Sequence, residues 1–140
     1  MATNPPITIG PFTNVPAPGS GVKSDWAQQI TNYVNPGAWV AWPVTAPWTL
    51  FSSSSYQPLR YRKEGSIVRV SGALAPNAAA SGSLAGTLPA GFRPAAVLEF
   101  PGTPSTATPI FMVVNAAGAC NVYYPGGAGY VAFNFTFSTT

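Results

Sequence analysis

Histidine is absent from the 140-residue sequence, and the only carboxylate side chains are Asp25, Glu64 and Glu99. That removes the commonest general base, a Ser-His-Asp relay and most zinc sites together. A glycosidase needs two carboxylates facing each other across the scissile bond, and only Glu64 with Glu99 could supply them once Asp25 is assigned to a helix start. Each has a simpler structural explanation, Glu64 in a turn and Glu99 on a strand. No Asp-rich loop suggests calcium, and Gly126-Gly127-Ala128-Gly129 precedes a strand instead of following one, unlike a phosphate-binding loop. Cys120 is the single cysteine, has no partner for an internal disulfide, and reads as a small strand residue. The expectation is a non-enzymatic protein with no cofactor and no metal.

Aromatic and cationic side chains are the remaining sources of chemistry. A flat ring complements the CH face of a sugar, although core packing explains most buried aromatics more simply. Trp39, Trp42, Tyr123 and Tyr124 are the candidate glycan contacts among a set that also includes Trp48, Tyr56 and Tyr130. Of the six Lys and Arg residues, Arg60, Arg62, Lys63 and Arg69 fall in one stretch, Tyr56 to Leu74. The leading reading is the wet face of a sheet, with contact to a neighbouring subunit or a polyanion as alternatives. A net charge of +3 is too weak a field for nucleic acid, which requires several phosphates to be neutralised at once.

These residues must be positioned by strands. Around a Lys63-Glu64-Gly65-Ser66 turn, Leu59 and Tyr61 alternate with Arg60 and Arg62, and Val68, Val70, Gly72 and Leu74 with Arg69 and Ser71. This is the period-two pattern of a half-buried antiparallel hairpin, whose apolar face needs another sheet to cover it. Further strands are expected around Trp39–Phe51, where Pro43 and Pro47 point to an edge, and around 83–88, 95–100, 110–114, 119–124 and 130–137. The predicted fold is all-β, an antiparallel β-sandwich of jelly-roll type over residues 38–140.

Residues 1–37 read differently. Five prolines before Val22 make an extended arm, on which Ile7, Ile9, Phe12 and Val15 are spaced apolar anchors suited to docking on a partner. Ser24 to Asn35 is the one convincing helix, capped by Ser24 or Asp25 and ended by Pro36-Gly37. Trp26, Ile30, Tyr33 and Val34 form its apolar stripe, covered either by the chain's own sheet or by the same helix from symmetry mates. The position between arm and β domain favours the second, an oligomer interface. Charged residues are only 6% of the chain against roughly 25% in an average soluble protein, leaving a surface poorly protected against association. No secretory signal and no membrane-spanning run are visible, so synthesis in the cytoplasm without membrane insertion is expected.

The segment NVPAPGSGVKSDWAQQITNYVN, Asn14 to Asn35, resembles the start of small minor tail proteins of actinobacterial phages. YRKEGSIVRVSGAL, Tyr61 to Leu74, and LPAGFRP, Leu88 to Pro94, resemble the β-rich tip domains of phage tail fibres and receptor-binding proteins. The resemblance implies a virion protein, a homotrimer whose arm and helix attach to tail or capsid proteins while the β domain projects toward host surface polysaccharide. It transfers no receptor-binding residue. The sequence lacks the long shaft of a full fibre, which keeps a capsid decoration or head-fibre role open, and a free-standing lectin module is the remoter alternative.

Trp26→Ala and Ile30→Ala are expected to weaken oligomerisation by about 2–5 kcal/mol each, the usual cost of truncating a buried large apolar side chain. Light scattering on both variants measures this, and unchanged assembly would place the stripe against its own domain.

Overall fold

The computed structural model describes residues 36–140, so the predicted arm, the helix and its stripe lie outside the described residues. Nine strands follow one another: β1 (Val40–Ala41), β2 (Thr49–Phe51), β3 (Arg60–Glu64), β4 (Ile67–Ala75), β5 (Ser83–Thr87), β6 (Leu98–Pro104), β7 (Ile110–Val114), β8 (Ala119–Tyr123) and β9 (Val131–Ser138). No helix occurs among the described residues. The all-β, antiparallel expectation is met: every pair of named strands is antiparallel, and β3 and β4 form the anticipated hairpin, with Arg62 opposite Arg69 and Gly65 in the left-handed region at φ 62°.

The jelly-roll-like sandwich is corrected. In place of two separate facing sheets there is one continuous sheet in the order β1-β3-β4-β9-β6-β7-β8-β5, with β2 beside β4. The physical reason is β6, which belongs to both halves. Its Leu98–Gly102 part pairs with β7, while Thr103 and Pro104 pair with Ala132 and Val131 of β9. The hydrogen-bonded network therefore passes through β6 and the sheet curls around its own apolar face. The two free edges approach each other where Val44 bridges Gly86. There the Thr45 amide donates to the Ala85 carbonyl at 3.2 Å and Trp42 Nε1 donates to the same oxygen at 3.3 Å.

Strand alternation explains which residues fill the interior. Val68 faces Phe137 and Val70 faces Phe135 across the β4–β9 ladder, and Tyr61 lies opposite Val70 on β3. Ile110, Met112 and Val114 of β7 and Cys120 and Val122 of β8 close the other side, and all are buried. Trp48 and Trp42 plug the space between, Trp48 with its Nε1 donating to Ser83 Oγ at 2.9 Å. Full burial of side chains of this size stabilises by about 1.5–3 kcal/mol each. Pro43 and Pro47 flank the short β1 and β2, and β1 is indeed an edge strand.

Two glycines mark close approaches. At Gly72, φ is +129° and a Cβ would come within 2.4 Å of the Pro58 carbonyl, because the chain before β3 crosses β4 there. At Gly86 a Cβ would come within 2.5 Å of Trp42 Nε1, which is the seam where the two edges meet.

On the Leu98 side of Thr103 the strands β6 and β9 are no longer paired. The gap is a groove of about 440 Å³ with Leu98, Phe100 and Phe137 in its walls. Phe100 stacks on Phe135 with ring centroids 3.9 Å apart and planes within 4°.

Burial pushes the Cys120 thiol from 9.0 up to about 12. The folded chain thus holds this proton more tightly than the unfolded chain, so its contribution is intact below pH 9.0 and is lost as pH rises toward about 12. The urea midpoint should fall between pH 8 and pH 10.5, less steeply in Cys120→Ala, and a thiol reagent at pH 8 should label wild type only in denaturant.

Candidate functional site

The outward-facing positions of β1, β3, β4 and β9 line up as cross-strand rows. Arg60 lies opposite Ser71, and Ser71 opposite Asn134. The next row runs from Arg62 to Arg69 to Thr136. One face thus carries polar and cationic side chains while the same strands bury valines and phenylalanines on the other. This is the direct product of a period-two repeat on strands of which only one side meets the core.

Beside these rows lies an open cleft of about 270 Å³. Ser71, Asn134, Ala132 and Thr103 form its floor, and Ser55, Tyr56 and Gln57 form a wall. The wall is held in place by the backbone: the Ala73 amide donates to the Gln57 carbonyl at 2.9 Å, and the Leu59 amide to the Ala73 carbonyl at 3.0 Å. An aromatic group supports it from behind. Phe51 stacks on Tyr130 at 5.1 Å, and the Tyr56 and Tyr130 hydroxyls share a hydrogen bond of 2.6 Å. That bond, before burial, raises the pKa of Tyr130. The cleft is uncharged and offers hydroxyl and amide groups able both to donate and to accept. Its size lies near the lower end of the roughly 300–1,000 Å³ seen for ligand sites. Such a surface suits a polyol better than a charged or an apolar ligand.

Next to the cleft is the cationic corner. The Arg60 and Arg62 guanidinium carbons sit 4.4 and 4.6 Å from the centroid of the Trp39 ring. Arg62 Nη2 pairs with Glu64 Oε1 at 2.6 Å, and Arg69 Nε reaches the same oxygen at 3.4 Å. Lys63 turns away from this face: its Nζ donates to the Gly91 carbonyl at 2.6 Å, close to the Phe92 ring.

A second surface lies on the outer side of β7 and β8. Phe111 and Tyr123, directly opposite in the ladder, stack at 4.9 Å with planes within 9°. They are 38% and 39% exposed, which leaves ring surface open to a ligand. Gly82 lies under the Tyr123 ring and a Cβ there would approach it to 2.9 Å, so the glycine lets the ring lie flat.

The four aromatic residues singled out from sequence therefore separate. Trp39 and Tyr123 are on the surface, on different faces. Trp42 and Tyr124 are buried at 2% and 6% exposure, with Trp42 edge-on to Tyr61, and the Tyr124 hydroxyl donates to the Ala79 carbonyl. They present no ring face to a ligand and belong to the core. Glu64 is engaged by two arginines, and Glu99 is exposed on β6 opposite Val113. Among the described residues no group of three or more His, Cys, Asp or Glu gathers in a metal-binding arrangement. Sequence reading missed the cleft residues Ser55, Gln57, Thr103 and Asn134 and the platform partner Phe111. Asn134, the one amide among the outward positions of β9, was the available signal. The loop residues had none.

No protein-family model and no curated protein matches the chain. Among solved structures, the fold is similar to that of the receptor binding protein (gp15) of Listeria phage PSA, with a TM-score of 0.57. The two are 15% identical, and the match covers 82% of this chain and 73% of that one. At this identity the likeness is one of fold.

Trp42→Ala and Tyr124→Ala should each destabilise the domain by about 3–5 kcal/mol, as aromatic truncation in a core does. Phe111→Ala and Tyr123→Ala should cost under about 1 kcal/mol, as surface substitutions usually do. Urea unfolding of the four variants separates core from platform.

Proposed function

We propose that this chain is a structural protein of a bacteriophage virion, a short trimeric tail-tip or tail-fibre protein whose β domain binds polysaccharide on the host surface. The observation that carries the reading is the shared fold with a phage receptor-binding protein over 82% of the chain. The uncharged cleft is the binding site, and its hydroxyls and amides take the hydroxyl groups of a saccharide unit. The Phe111–Tyr123 platform is a second place where a sugar CH face can lie. The chain acts by binding and carries out no catalysis. Assembly fits a surface on which charged residues are scarce. Residues 1–37 supply the attachment to other virion proteins and the trimer contact.

Antibody raised against residues 38–140 should label tail tips of phage particles carrying the protein. Label on heads purified without tails would replace this reading by a capsid decoration or head-fibre role. The full chain should run as a trimer of 14.5 kDa subunits by light scattering, and a stable monomer would remove the fibre reading.

A further inference from the structure

One side of β9 runs out of strand partners before the strand ends. The Thr139 amide donates to the Ser66 carbonyl at 2.9 Å and the Ser105 amide to the Tyr130 carbonyl at 3.1 Å. Main-chain groups alternate sides along an antiparallel strand, so Phe135 and Phe137 bond to β4 while Thr136 and Ser138 aim their amides and carbonyls toward β6. There the β6–β9 ladder, which covers only Thr103 and Pro104, has already ended. Continuing its register would set Pro101, which has no amide hydrogen, against Asn134, so the pairing stops for a local reason. What remains is the groove of about 440 Å³, with Leu98, Phe100 and Phe137 as apolar lining and an open strand edge along one wall. The Phe100–Phe135 stack stands at its end nearest Thr103 and limits how far a strand can enter. We propose that residues 7–10 of this chain's own arm seat in the groove as a short added strand beside Thr136 and Ser138, with Ile7 and Ile9 on the apolar lining.

The open edge is the first support. Amides and carbonyls bordering an apolar groove need partners, and an extended main chain supplies them where an acyl chain would not. A bare edge also invites aggregation, and with only 6% charged residues the chain has little else to guard it. The second support is the sequence of residues 1–35, which lie outside the described residues. Only Ile7-Thr8-Ile9 places two β-branched apolar residues at period-two spacing there, and Pro6 and Pro11 bound a strand of the short length this edge accepts. The third is position. The Gly37 amide donates to the Lys63 carbonyl at 2.7 Å, and Lys63, Val68 and Phe137 stand in one cross-strand row. The chain therefore enters the domain three strand spacings, about 15 Å, from the groove wall. The residues between Gly10 and Gly37 cover that distance several times over. A second folded copy fits less well. The end strands β1 and β5 close on each other at Val44 and Gly86, and a groove walled by strands admits one extended segment, not the rim of a sheet. Phe12, Val15 and the helix stripe remain for the attachment proposed above.

The test is amide-resolved hydrogen exchange on the full chain. In wild type the Thr136 and Ser138 amides should be protected along with those of Phe135 and Phe137. In an Ile7→Asp/Ile9→Asp variant the first two should exchange about tenfold faster or more, while the Phe135 and Phe137 amides stay slow and show that the domain is folded. Free exchange at Thr136 and Ser138 in wild type means an empty groove and overturns the inference. Protection that survives in the variant assigns the groove to another occupant and overturns it too. A second measurement identifies the donor of the strand. Thr8→Cys is combined with Thr136→Cys or with Ser138→Cys, Cys120 being buried and out of reach. One of the two pairs should close to a disulfide within a single chain, keeping monomer mass on a non-reducing denaturing gel. A dimer band would give the groove to the arm of a neighbouring copy, and failure of both pairs to close would remove the arm altogether; either result overturns the proposal. Tail-tip labelling and subunit count bear only on the virion reading, so the two can fail separately.

Discussion

The β4–β9 ladder is the contact on which the rest of the molecule depends. It aligns Ile67–Leu74 with Val131–Ser138 without a break, the longest uninterrupted register in the sheet. Because side chains alternate, that single register puts Val68, Val70, Phe133, Phe135 and Phe137 on one side and Arg69, Ser71, Asn134 and Thr136 on the other. A slip of one residue would move the phenylalanines into water and the arginine into the core. β3 and β2 then share the far edge of β4, one beside Ile67–Ser71 and the other beside Ala73–Ala75, and Gly72 sits where they change over. β9 in turn hands the sheet to β6 through two residues, and from there it curls back toward β1.

Placing the proposed binding face on this ladder has a functional consequence. Ser71 and Asn134 are fixed by main-chain hydrogen bonds on strands whose opposite faces are packed with large apolar side chains, so their positions are rigid before any ligand arrives. Preorganisation of this sort reduces the ordering cost of binding. The loop wall, Ser55 to Gln57, is less deeply anchored but leans on the Phe51, Tyr56 and Tyr130 rings. A domain with so few charges can place most of them in one corner without strong repulsion elsewhere. Arg60, Arg62, Arg69 and Glu64 are that corner.

Much of this arrangement was legible from local pattern. The β3–β4 hairpin, its turn at Gly65, the edge position of the proline-flanked strands and the buried side of β9 follow from period-two alternation and from the backbone limits of proline and glycine. Aromatic roles were not legible. Trp39 and Trp42 are three residues apart and look alike in sequence, yet Arg60 and Arg62 hold one at the surface and Ala85 and Tyr61 enclose the other. Every residue of β7 is apolar, the pattern of a strand buried on both faces. Its outer Phe111 is instead paired with Tyr123 and partly in water, because no second sheet covers that side among the described residues.

By itself, then, the sequence determined the strand content, the antiparallel hairpins, which side of β3, β4 and β9 is apolar, and the absence of histidine from any mechanism. These are properties of neighbours along the chain, carried by spacings of one to four residues. Tertiary structure alone decided that the sheet is one curled surface and not two facing ones, since this depends on β6 dividing its length between β7 and β9. It also decided that residues as distant as Ser55, Ser71, Thr103 and Asn134 line one cleft with Arg60 beside it. Such positions meet only through long-range pairing register, which no local periodicity encodes.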